Sequence, residues 1–153
     1  MKEAGWLRRR VEPLVLMLRY GSTPEKVAIS VALGVAFGLF PILGTSTLLC
    51  FAAAMLFRLS HPAIQLANHM MYPFQLPLIL VYVRLGETLA NAPRVPFDPR
   101  VLATTLRADP TAFMARFGLT AGHAVLGWAA AAPFLIVALY AAALPLMRRL
   151  RVQ

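Results

Sequence analysis

His61, His69 and His123 are the side chains best suited to act as bases, acids or metal ligands. Their spacing fits no zinc pattern, and the single cysteine, Cys50, stands apart from them in an apolar stretch. No serine sits in a nucleophile elbow, and neither a glycine-rich phosphate loop nor a pair of carboxylates is present. The expectation is a protein that is not an enzyme and that takes no metal and no cofactor. A second polar set is more telling, because Gln65, Asn68, His69 and Gln75 crowd into an otherwise apolar segment. Polar groups in such surroundings need partners, so they face a neighbouring helix or a watery cavity. Asp and Glu are absent between Val27 and Arg84, which argues against proton coupling through a carboxylate relay.

The elements that must position these groups are helices in lipid. Of 153 residues, 59% are hydrophobic, and the mean hydropathy of +0.68 is high for a soluble chain. The excess falls in three blocks, 27–57, 59–83 and 119–147, each long enough by residue count to be a membrane segment. The fold class expected is all-α, a single helical integral membrane domain over 1–153. The first block is broken at Phe40-Pro41-Ile42-Leu43-Gly44, since proline removes a backbone donor and disrupts the preceding turn. Each arm of about 14 residues is about 21 Å long, too short to cross alone. A re-entrant hairpin and a single kinked span both fit. The second block opens at Ser60-His61-Pro62 and is broken at Tyr72-Pro73, and the third has Pro133 at its centre. Interrupted helices expose backbone groups that can bind a ligand, so Phe40, Pro41, Gly44, Asn68, His69, Tyr72, Pro73 and Gln75 are the candidate lining of a cavity.

Ser22-Thr23-Pro24-Glu25 is a helix start, with a capping hydroxyl, proline for the first turn and an acid for the positive end of the dipole. Beyond it Ser30, Gly34 and Gly38 line one stripe and Ala28, Ala32 and Ala36 another. Small residues four apart let helix backbones approach closely in lipid, either within the chain or between copies.

The net charge of +9 flanks the apolar blocks instead of forming a groove-reading motif, which favours anionic lipid headgroups over nucleic acid. Before the first block, Trp6, Leu7, Val11, Leu14, Val15 and Leu18 recur at helical spacing, so 1–20 reads as a basic amphipathic helix; its apolar core is too short for a signal peptide. The 87–118 loop carries Asp98-Pro99 and Asp109-Pro110, two helix starts, and so implies two short amphipathic helices. Its arginines, together with Arg84, favour a cytoplasmic loop. Three simple crossings from a cytoplasmic N-terminus would put Arg148, Arg149 and Arg151 outside, against the same rule. Three hairpins would keep loop and termini on one side.

Gly21-Ser22-Thr23-Pro24-Glu25-Lys26-Val27-Ala28, Gly34 to Gly38, Phe40-Pro41-Ile42-Leu43-Gly44, Arg58-Leu59, Pro73 and Arg84-Leu85-Gly86 occur in an order and spacing that resemble a bacterial membrane family catalogued as domain of unknown function 2062. The resemblance covers 21–86, with Ser60 and Tyr72 standing where asparagines are associated with the family pattern. It implies a multi-pass location in the bacterial inner membrane and no particular reaction. Two functions remain open. One is movement of a solute or lipid through a cavity formed by the broken helices. The other is a non-catalytic accessory or scaffold subunit of an envelope assembly. A homo-oligomer is compatible with both.

Overall fold

Thr23 begins the part of the chain that the computed structural model describes, residues 23–149. The amphipathic helix expected over 1–20 lies outside the described residues. Thr23 caps α1, Pro24–Gly38, by accepting a bond from the Lys26 amide at 3.3 Å, with Pro24 and Glu25 in the first turn. The helix cannot run on, because Pro41 drives the preceding residue away from helical backbone angles. The chain turns through 39–45, where Gly44 takes a φ of +85° that glycine alone adopts freely. It then enters α2, Ser46–Leu56.

α2 returns along α1. Cys50, Ala53 and Ala54 pack with Ile64 against Leu33 and Phe37, and the Ser60 amide donates to Ser30 Oγ at 3.0 Å. The first block is thus a helical hairpin with its base near Ser30 and its tip at 39–45. Its second arm ends on Arg58, which takes a left-handed φ of 50° while the Leu59 amide reaches back to the Ala54 carbonyl.

α3, His61–Met70, runs parallel to α1 in a constant register. Ser30 meets Ser60, Gly34 faces Ile64 and Ala67, and Gly38 faces Asn68 and Met71, where an added Cβ would lie 2.9 Å from backbone. The stripe read from sequence is therefore occupied within the chain. After one non-helical residue, Met71, α4 begins and runs over Tyr72–Leu89 with Pro73 in its first turn. It does not fold back on α3. Proline at the start of a helix fits without loss of a bond, so this block is kinked where the first is reversed.

Asp98 and Asp109 cap the last two helices, α5, Pro99–Ala108, and α6, Pro110–Arg149. Asp109 accepts from the Ala112 and Thr111 amides and the Thr111 hydroxyl, which together hold its carboxyl below the ordinary range. The second short helix expected before 118 is fused to the third block. Pro133 and Pro145 lie inside α6 without ending it, each removing a single backbone bond. At 1.5 Å per residue its 40 residues extend about 60 Å.

α6 runs antiparallel first to α4 and then to α1. Gly86 abuts the His123 backbone and Gly127 the Tyr82 backbone, Trp128 Nε1 donates to the Ala36 carbonyl at 2.8 Å, and Arg148 pairs with Glu25 at 3.2 Å. Two ends follow from this. Lys26, Arg58, Arg148 and Arg149 belong to one, and the 90–109 segment to the other, so loop and C-terminal arginines do not share an end as three hairpins would require. The described residues form six helices and no strand. Of the three blocks expected to be of spanning length, the breaks leave α6 as the one described helix long and apolar enough to cross a membrane.

The polarity of the packing is inverted relative to a water-soluble core. Alanines 28, 32, 36, 54, 63 and 124 are buried, whereas Leu48, Leu56 and Phe134 are 69%, 76% and 78% exposed. The α4–α6 seam predicts a sharp contrast between glycines. Gly86→Ala or Gly127→Ala forces backbone apart and should lower the stability of the purified protein by about 1–3 kcal/mol or more in thermal unfolding. Gly122→Ala meets nothing within 4 Å and should leave it unchanged or slightly raised.

Candidate functional site

A polar patch gathers where the hairpin tip meets the kink. Gln65, Asn68 and His69 share one face of α3 by their three- and four-residue spacing, Tyr72 and Gln75 come from the first turn of α4, and Thr47 comes from the first turn of α2. Asn68 Nδ2 donates to Thr47 Oγ1 at 3.2 Å, and the same hydroxyl lies 3.2 Å from the Tyr72 hydroxyl. Gln65 Nε2 donates to the Thr47 carbonyl at 3.3 Å, and His69 Nδ1 lies 2.7 Å from the Gln65 carbonyl with its ring beside Tyr72. Below them Gln75 Nε2 donates to the Phe40 carbonyl at 2.7 Å, one of the backbone oxygens freed where α1 stops.

The patch holds no carboxylate, lysine or arginine. Asn68 and Gln75 are buried, while Thr47, His69 and Tyr72 reach the outer surface. Gln65 Oε1 and Asn68 Oδ1 are buried without a protein partner among the described residues. Two carboxamide oxygens, two hydroxyls and an imidazole can together hold a hydrogen-bond donor such as a hydroxyl, an ammonium group or water. The patch is open on the side of the bundle, where Thr47, His69 and Tyr72 are exposed.

The residues singled out in sequence separate accordingly. Asn68, His69, Tyr72 and Gln75 come together, and Phe40 contributes its carbonyl while its ring packs edge-on against Trp128 at 4.9 Å. Pro41 and Pro73 shape the backbone, and Gly44 turns the tip with nothing within 4 Å of where its Cβ would be. His61 sits instead against Phe51 at the hairpin base, and His123 lies at the α4–α6 seam. Sequence reading missed Thr47 as the hub, since a hydroxyl just after Gly44 has the position of a helix cap. It also missed a clamp on α4. Glu87, 1% exposed, binds Arg84 at 2.8 Å and the Val95 amide at 2.9 Å, and Arg84 stacks over Phe97, which fixes the 95–97 strap.

Removal of the hub should strand its neighbours. Thr47→Val leaves the Asn68 amide buried without an acceptor and should destabilise by about 1–3 kcal/mol, against about 1 kcal/mol for Tyr72→Phe, measured as the shift in unfolding midpoint. No curated protein and no solved structure matches the chain. A family model described as an uncharacterized protein conserved in bacteria matches residues 8–153. The order of motifs, the paired breaks and this match over nearly the whole length agree, and the chain belongs to the bacterial family DUF2062.

Proposed function

We propose that the chain is an integral protein of the bacterial inner membrane that moves the polar headgroup of a lipid past the middle of the bilayer. The inverted packing carries the membrane part. The apolar window of α6 is only 6% buried, unlike the core helix of a soluble protein, and it lies far from the N-terminus, unlike a signal sequence. Small side chains inside and large apolar ones outside are what lipid-embedded helices need.

In this arrangement α3 with α4 crosses once, α6 crosses back, and the α1–α2 hairpin enters and returns. Lys26, Arg58, Arg148 and Arg149 then share the cytoplasmic side, and Arg8, Arg9, Arg10 and Arg19 precede that end in sequence. The arginine in a left-handed backbone position, Arg58, keeps its charge at the hairpin base despite a cost of about 1–2 kcal/mol that glycine would avoid. From its first residue α3 rises about 10 Å to Asn68, with Arg58 a short turn beyond, and about 14 Å of α4 separates Gln75 from Arg84, so in this arrangement the patch lies near the middle of a core about 30 Å thick. Its open side favours a lipid headgroup, whose chains stay in the bilayer, over a solute that needs an enclosed path. Hydrogen-bonding groups without a carboxylate suit passive movement.

A second reading, an accessory subunit whose partner covers the patch, also draws on that open side. It does not draw on Ser30, Gly34 and Gly38, which α3 already covers. Reconstitution separates the two. The chain alone in vesicles should speed the exchange of a fluorescent phospholipid between leaflets, and Asn68→Leu with His69→Leu should slow it about tenfold, the equivalent of about 1.4 kcal/mol of lost hydrogen bonding. A chain inactive alone that copurifies with a partner through Tyr72 and His69 would favour the accessory reading. The crossings are tested in a Cys50→Ser background: an impermeant maleimide should label Arg94→Cys in intact cells and Arg58→Cys only after the membrane is opened. Labelling of both under one condition would overturn two crossings.

A further inference from the structure

The end of the molecule opposite the hairpin base holds a cavity of about 200 Å³ between α5, the first turns of α6 and the 95–97 strap. Phe97, Val101, Leu102, Phe113 and Phe117 wall it, and Arg116 is the one charged residue in its lining. A smaller apolar cavity of about 150 Å³ stays dry and takes up benzene, so hydrocarbon fits this one better than water does. Two features indicate how it opens. No residue of α5 is buried, so this helix lies over α6 as a loosely held flap, and its Val101 and Leu102 line the cavity while Leu106, Arg100 and Arg107 are exposed. The strap is pinned separately, by the Glu87 and Arg84 clamp, so one wall is fixed while the other can lift.

Arg116 defines the ligand. Among the described residues no carboxylate pairs with it, in contrast to Arg84 and Arg148, which have Glu87 and Glu25. A guanidinium without a partner at the rim of an apolar cavity, where α6 passes from the polar segment into its apolar run, matches an anionic head joined to a hydrocarbon tail. We infer that this is a binding site for one acyl chain of an anionic phospholipid, with the chain end between α5 and α6 and the phosphate on Arg116. The site is separate from the patch around Thr47, and it rests on the membrane reading of the chain.

The test uses the full chain in phosphatidylcholine nanodiscs doped with phosphatidylglycerol bearing a photoactivatable group at the end of one acyl chain. Crosslinks mapped by mass spectrometry should concentrate on Leu102, Phe113 and Phe117, and exceed those from the matching phosphatidylcholine probe about fivefold, the value of one basic side chain at an anionic surface. Arg116→Ala should erase that preference and Arg116→Lys should keep part of it. Leu102→Trp should fill the cavity and suppress labelling by both probes while the helical circular dichroism is unchanged. Equal labelling by the two probes, or labelling that persists in Leu102→Trp, would overturn the site. Crosslinks on the exposed α6 side chains Phe134 and Val137 serve as the internal reference: if these form and the cavity stays unlabelled, this inference fails and the membrane reading stands; if neither forms, both fail.

Discussion

The whole structure depends on how closely its backbones approach. At Gly34 and Gly38 the chain of α1 lies against that of α3, and at Gly86 and Gly127 the chain of α4 lies against that of α6. Nothing larger than a hydrogen fits at these points, so the helices meet along ribbons of alanine, glycine and serine, and most of their bulky side chains point outward, with Val27, Ile64 and Val83 among the exceptions. In water such a surface would be unstable, because exposed leucine and phenylalanine gain by leaving it. Between lipid chains that penalty vanishes, and close contact with many small dispersion terms becomes the main source of cohesion. The seams and the exposed apolar surface are therefore two results of one constraint. α1 stands at its centre, with α2, α3 and α6 around it.

Much of this is legible in the residues, and the limits have physical causes. The four-residue spacing of Ser30, Gly34 and Gly38 marks a close seam, and the caps at Thr23, Asp98 and Asp109 sit where their side chains place them. What a stripe cannot reveal is its partner. α3 fills it only because α2 carries the chain back to the level of Ser30, and that return depends on the 39–45 turn. Proline alone did not distinguish the three breaks. At Pro41 a glycine with positive φ follows and the chain reverses; at Pro73 the ring fits the first turn of a new helix and the chain only bends; at Pro133 the helix continues. The neighbours of each proline carry more of the outcome than the proline does.

The polar patch shows the same division. Gln65, Asn68, His69 and Gln75 stand out because they interrupt an apolar run, and their helical spacing puts three of them on one face. Thr47 does not stand out, since its part is created by the hairpin, which sets the start of α2 beside the end of α3. The arginines of the 84–116 region illustrate a related point. Their number suggests the side that holds the other basic residues, yet Arg84 is engaged by Glu87 and by the Val95 carbonyl. A charge matched in this way weighs less on topology than Arg58, which has no carboxylate partner among the described residues.

If the chain sits in the bilayer as proposed, the hairpin also explains how three apolar blocks coexist with basic groups at both chain ends. An odd number of crossings separates the ends; a block that enters and returns counts as none, and leaves two. In that proposed arrangement the hairpin has a cost, because its tip would bring unpaired backbone carbonyls and loop hydroxyls to mid-depth, where hydrocarbon cannot satisfy them. The chain meets this with side chains: Gln75 takes the Phe40 carbonyl, and Gln65 and Asn68 take Thr47. Repair alone would be complete with every polar atom paired and turned inward. Here two carboxamide oxygens remain without partners among the described residues, and His69 and Tyr72 reach the surface. The excess of polar capacity over what the tip requires is the reason to regard the patch as a working site and not only as a plug for a broken helix.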